Sequence, residues 1–237
     1  MPIRPFNRRE LLKAGLGGAV ALGASGLGAL TNLANAASPD ISHGPRDKAQ
    51  VALTFHGNGD IAMAHKLLAI LSDRKVPVTV FAVGTWLKAN PTIAKTILAT
   101  GHDIGNHTYS HTQMKTISAT KVNSEISLCA KELTAQIGNH GSFFRPSGTQ
   151  NSTALIRNTA LKYGYKKCIS YDVDSLDYKD PGKATVLKAV MNNVQNGSII
   201  SLHFGHQDTI DAMPTLLDQL QAKGLTPVTL TTMLGKI

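Results

Sequence analysis

Short apolar runs alternate with amphipathic stretches from residue 51 onward, and this alternation limits the fold more than any other feature. Runs at 51–55, 78–83, 103–106, 143–144, 167–170, 198–203 and 227–230 read as strands. Between them lie helical segments at 60–74 (Ile61, Ala64, Leu67, Leu68, Leu71), 90–101, 118–137, 152–163, 183–194 and 209–223. Asn90-Pro91 and Ser118 are helix starts. Gly101, Gly164, Gly197 and Gly224 are stops. Strands alternating with helices of about 10–15 residues predict a parallel sheet with helices outside. Seven of them predict an α/β barrel rather than an open sheet. Such barrels carry their chemistry at the carboxyl ends of the strands. His56, His107, Arg145, Asp174 and His203 all stand at or just after strand ends.

Residues 1–36 are expected to lie outside this fold. Arg4, Arg8, Arg9 and Lys13 precede a Gly/Ala-rich apolar run, and Ala34-Asn35-Ala36 has the small residues a signal peptidase reads. Asn7-Arg8-Arg9-Glu10-Leu11-Leu12-Lys13 has the twin-arginine look of a Tat export signal. Cleavage after Ala36 is expected, with extracellular or wall-associated action and no stable membrane insertion afterwards. A retained anchor is the alternative. Residues 37–48, with Pro39, Gly44 and Pro45, read as a linker, and 49–237 as one catalytic domain. Losing Arg4, Arg8, Arg9, Lys13 and Glu10 removes three net positive charges, taking +9 to +6. A basic surface suits an anionic wall. No basic run has interleaved aromatics, which argues against nucleic acid as a partner. Cys129 and Cys168 form no C-x-x-C pair and are expected to be buried thiols, because the Tat route carries proteins folded in a reducing cytosol.

His107-Thr108-Tyr109-Ser110-His111 is the strongest chemical signal. On a helical turn, residues i and i+4 share a face. Two neutral imidazoles at that spacing supply two of the roughly three protein ligands of a catalytic metal, leaving a position for water.

The order of motifs resembles the polysaccharide deacetylases of the NodB-homology type, carbohydrate esterase family four. The residues that carry the resemblance are Thr54-Phe55, His107 to His111, Phe144-Arg145-Pro146-Ser147-Gly148, Asp174-Ser175-Leu176-Asp177-Tyr178 and Ser201-Leu202-His203. It covers about residues 45–237 and implies a deformed (β/α)7 barrel. It also implies a metal-dependent hydrolase that removes acetyl groups from N-acetylated amino sugars. By this likeness His107 and His111 bind metal and His203 is the general acid. Asp174 orients His203, Arg145 holds the base, and Leu202 and Tyr178 line the acetyl pocket. The metal is expected to be zinc, with cobalt, nickel or manganese as alternatives. The partner is a polysaccharide, and the chain is expected to be a monomer.

One departure matters. The family's first motif is T-F-D-D, whose first aspartate is the base and whose second binds metal. Here the string is Thr54-Phe55-His56-Gly57-Asn58-Gly59-Asp60. Asp60 could fold back across the glycines to ligate, or cap the helix that follows. His56 could be a third ligand, or the base, since its ordinary pKa of about 6.5 suits that task. Alternatively the chemistry is lost and the chain binds a sugar without turning it over. A further enzymatic reading is hydrolysis of an amide or ring amide in a small nitrogen compound.

Overall fold

β1 (Gln50–Gly57) runs through the middle of a parallel sheet and carries the first part of the site on its last turn of pleat. The structure, a computed structural model, describes residues 39–235. The twin-arginine segment and its cleavage site lie outside the described residues. On one side β1 pairs with β2 (Thr79–Ala82), which pairs with β3 (Asp103–Asn106). On the other it pairs with β5 (Ile199–His203), which pairs with the two-residue β4 (Val173–Asp174). β6 (Thr226–Pro227) pairs with the start of β1. Single bridges carry the ring onward: Asn106 to Phe144, then Phe144 to Cys168. This is a (β/α) barrel deformed on one side.

The deformation falls where the sequence suggested strands at 143–144 and 167–170. Only single residues pair there. Arg145 donates its amide N–H to Asn106, but Pro146 has none to donate and the ladder stops. The last expected strand is also short. Thr229 caps a helix through its hydroxyl, so Leu230 is already helical.

The helices are α1 (Ile61–Asp73), α2 (Gly84–Ala89), α3 (Ile93–Ala99), α4 (Ala119–Ile137), α5 (Ala154–Lys162), α6 (Lys183–Met191), α7 (Gln207–Ala222) and α8 (Leu230–Leu234). α2 has no counterpart in the sequence reading. Its first amides, of Gly84 and Thr85, donate to the carbonyls of Thr108 and Tyr109, which ties it to the two-histidine loop.

Strand periodicity divides the core in two. Leu53, Phe55, Ile200 and Leu202 face outward and pack under the helices with Leu67, Leu71 and Leu216. Ala52, Phe81, Phe143, Ile169 and Ile199 face inward, with Leu230 and Met233 of α8 packed onto them. Continuing the inward set by two residues gives Thr54, His56, Ser201 and His203. The barrel interior is therefore apolar at the strand starts and polar at the strand ends.

The stretch read as a linker is part of this fold. Ile41 bridges Ile169 and packs on the inner cluster, His43 bridges Ser198, and Arg46 pairs with Asp172 at 2.8 Å. It fills the gap left by the two missing strands, where bare backbone groups would otherwise lack partners. Cys129 and Cys168 are free and buried, as expected. Among the described residues, no helix is long and apolar enough to cross a membrane.

Candidate active site

Three histidines converge at the carboxyl end of the barrel. One ring nitrogen from each of His56, His107 and His111 lies within 4.8 Å of the others. His56 is the last residue but one of β1, His107 follows β3, and His111 lies four residues further on. The His56 and His107 rings are 4.3 Å apart, and those of His107 and His111 5.0 Å.

The His107–His111 pair is not helical. A loop makes it, with Thr108 at φ 68° and His111 at φ 55°. Left-handed backbone at non-glycine residues is unfavourable unless its surroundings impose it. Here Asn106 Oδ1 accepts from the Thr108 amide at 2.8 Å, and Thr108 Oγ1 donates to Ser147.

A buried cation test of the site rests on His107. Its Nδ1 lies 2.9 Å from the Arg145 carbonyl, which can only accept, so the proton sits on Nδ1. The lone pair is then on Nε2, which is buried with no partner in the protein. A buried acceptor left bare is costly unless something fills it. Three imidazoles with one orphaned lone pair fit a nitrogen-preferring divalent ion such as zinc. Burial first, then the neighbouring positive groups, pushes His56 and His107 well below the ordinary histidine pKa, so both rings are neutral, as ligands must be. Burial also lowers His111.

Asp60 does not join this group. Its carboxylate caps α1, accepting from the Met63 amide at 2.9 Å. The loop before it is held outward. Trp86 Nε1 donates to the Gly59 carbonyl at 3.0 Å, and Gly59, at φ 88°, packs against Gly205. Gly57 also has a packing reason. A Cβ there would stand 2.8 Å from Val80 Cγ1 and 3.3 Å from the Trp86 ring.

Arg145 is 1% exposed and has no carboxylate partner among the described residues. Its guanidinium donates to Thr54 Oγ1 (2.9 Å) and to the carbonyls of Ile169 and Ser170. It also donates to His56 Nε2 at 3.3 Å, and it lies over the Phe81 ring. Burial lowers its pKa to about 9, which still leaves it charged at neutral pH.

His203 meets a carboxylate, but not the expected one. Asp177 Oδ1 is 2.7 Å from His203 Nδ1, and Oδ2 accepts from the His203 amide and from Thr209 Oγ1. Asp174 instead accepts from the Leu176 amide at 3.0 Å, an Asx turn. The reason is local. Leu176 is left-handed, at φ 60°, and starts a 3-10 turn over Asp177–Lys179 that swings Asp177 inward. Burial raises the Asp177 pKa, but bonds from His203 and Thr209 outweigh it and hold the carboxyl below its usual value. The proton on His203 Nδ1 is thus fixed, leaving Nε2 as the acceptor. The His203 ring is 4.3 Å from that of His56.

An open cleft lies over these groups in two lobes. One, of about 310 Å³, is lined by Pro146, Gln150 and Tyr171, the other, of about 250 Å³, by Asn58, Phe204 and His206. His56, His111, Tyr178 and His203 line both. Tyr178 is 43% exposed, its ring 5.2 Å from that of His203. Leu202 was expected beside it but is fully buried in the outer core, because on a strand it faces opposite to His203.

Comparison with known proteins agrees with this fold. The family model for polysaccharide deacetylase matches residues 43–168. A peptidoglycan-N-acetylglucosamine deacetylase of Bacillus cereus is 32% identical over 197 residues, covering 80% of this chain and 70% of its own length. The solved structure of Bc1960, a peptidoglycan N-acetylglucosamine deacetylase, is 31% identical with a TM-score of 0.74, over 81% of this chain and 91% of that one. BA3943 of Bacillus anthracis, a CE4 family pseudoenzyme, is 26% identical with a TM-score of 0.76, over 82% and 68% of the two chains. A matching family model, a shared barrel and extended identity lead to one conclusion: this chain belongs to the polysaccharide deacetylase family.

Proposed function

We propose that this protein is an exported, metal-dependent hydrolase that removes N-acetyl groups from a wall polysaccharide such as peptidoglycan or a chitin-like chain. The observation that carries the reading is the union of a three-imidazole cluster with a carboxylate-fixed histidine on one cleft floor. His107, His111 and His56 would hold the ion, with His56 standing in for the family's metal-binding aspartate. When bound, such an ion supplies Lewis acidity, polarising an acyl oxygen and making water more acidic.

The proton transfers fall to His203. Asp177 fixes its Nδ1–H, so Nε2 is free to take a proton from the water that attacks the acetamide carbonyl. The same nitrogen then returns the proton to the leaving amine as the C–N bond breaks, giving acetate and a free amino sugar. His56 is the weaker base. As a ligand it gives its one lone pair to the ion, and burial keeps the ring from gaining a proton. Arg145 packs its guanidinium beside His56 and holds the His107 ring by its carbonyl. Tyr178 offers an exposed aromatic face to sugar or acetyl methyl.

An open two-lobed cleft favours a polymer over a small nitrogen compound. The non-catalytic reading is supported by the missing T-F-D-D carboxylates and by the likeness to a pseudoenzyme. Elemental analysis and acetate release from acetylated peptidoglycan and chitin oligomers decide between them. About one zinc per chain with acetate release is expected. A metal-free chain that releases no acetate after zinc loading would leave only sugar binding. Export is checked by locating the chain with Arg8 and Arg9 replaced by lysine, which should retain it in the cytoplasm.

A further inference from the structure

Glu125 is the one acidic side chain on the buried face of α4, fully enclosed between Val122, Ile126 and Cys129. Apart from Lys121, its hydrogen-bond donors all belong to the two-histidine loop. Oε2 accepts from the Tyr109 amide at 2.9 Å and from the Ser110 amide at 2.7 Å. Oε1 accepts from Ser110 Oγ at 2.6 Å. Lys121, one turn earlier and half exposed, closes the arrangement at 2.9 Å.

We propose that Glu125 is a positioning residue for metal binding, holding the loop in the shape that brings His111 to His107. This rests on the reading of the histidine cluster as a metal site. Without regular structure, an i, i+4 histidine pair has no intrinsic reason to converge. The loop also contains two left-handed non-glycine residues, Thr108 and His111, a conformation that holds only where the surroundings impose it. Three donors from consecutive residues ending on one carboxylate replace the helix that would otherwise set the spacing. The carbonyls of Thr108 and Tyr109 are fixed by the first amides of α2. His111 itself receives no such bond. Its position is inherited from the residues before it.

In Glu125→Gln the side chain keeps its volume but loses one acceptor, so its amide N–H faces loop donors. Glu125→Ala leaves all three donors bare. Zinc affinity is read by competition with a chromophoric chelator, well below the melting temperature, and loop order by hydrogen exchange in the metal-free chain. Val186→Ala, buried in α6, controls for general destabilisation. Outer-shell changes typically cost 10–100-fold in metal affinity. Glu125→Gln is expected to weaken zinc binding about that much and to speed exchange at the Tyr109 and Ser110 amides, with Glu125→Ala worse on both. Val186→Ala should lower the melting temperature while leaving affinity unchanged. Parental zinc affinity in both Glu125 variants, or a loss matched by Val186→Ala at equal destabilisation, would overturn the proposal. If the parent chain binds no zinc, the metal reading fails, and the exchange rates alone decide whether Glu125 orders the loop.

Discussion

Asp177→Asn separates the structural assignment from the one the motif suggested. The Asp177 carboxylate receives three hydrogen bonds, of 2.8, 2.7 and 2.6 Å, two from His203 and one from Thr209. Asparagine offers one oxygen and one N–H2. The oxygen can serve the His203 amide and Thr209, as Oδ2 does now. The N–H2 then faces Nδ1, which must become an acceptor. The proton moves to Nε2, and the neutral ring can no longer take one from water. In the serine protease triad the same change of tautomer lowers kcat about 10⁴-fold. An effect of about 10³–10⁴-fold is expected here, or roughly 4–5.5 kcal/mol of barrier. Zinc content should stay near the parent value, because Asp177 touches none of the three clustered imidazoles. The assay is acetate release at saturating acetylated glycan beside metal analysis, with Asp174→Asn as the paired variant. Asp174→Asn loses only an Asx turn and should keep activity within a few-fold. An Asp177→Asn enzyme within tenfold of the parent, or an Asp174→Asn enzyme equally impaired, would refute the argument.

The remaining predictions concern the metal cluster and its pH dependence. His56→Ala should lose zinc in elemental analysis, whereas Asp60→Ala should retain it and lose only its helix cap, about 1 kcal/mol in denaturant unfolding. Gly57→Asp, the change toward the family motif, should lower the melting temperature without tightening zinc, because its Cβ meets Val80 and Trp86. The metal-free chain should lose stability in urea melts as pH falls. His56, His107, His111 and His102 are held below their unfolded pKa chiefly by burial, so below about 6.5 the unfolded chain binds more protons than the folded one. Flat stability from pH 7.5 to 5.5 would contradict those shifts. Tyr178→Ala should raise KM for glycan with little effect on zinc, read by steady-state kinetics and metal analysis.

Some features were legible in the chain because they depend on local spacing. Apolar period and glycine stops marked most helices within a few residues, and Ser118 is the cap it was read to be. His56, His107, Arg145 and His203 were recognisable as strand-end residues, and they meet. Strand alternation carries one more signal. Leu202 and His203 are adjacent on β5, so they cannot both face the cleft. A glutamate on the apolar stripe of α4 was a similar clue to Glu125.

What only the tertiary structure decided is where short polar side chains end up when two placements differ by a turn. Asp174 and Asp177 are equivalent as sequence. A single left-handed residue, Leu176, sends one to an Asx turn and the other to His203. His107 and His111 converge as their spacing suggested, yet through a strained loop pinned by a distant helix rather than through a helical turn of their own. Asp60 was a candidate ligand by proximity in sequence, until Trp86 and Gly205 fixed the loop and left it on the helix end. Hydrophobic periodicity is a property of each segment and survives in one dimension. The aim of a carboxylate depends on backbone angles that distant packing imposes, and no spacing rule carries that information.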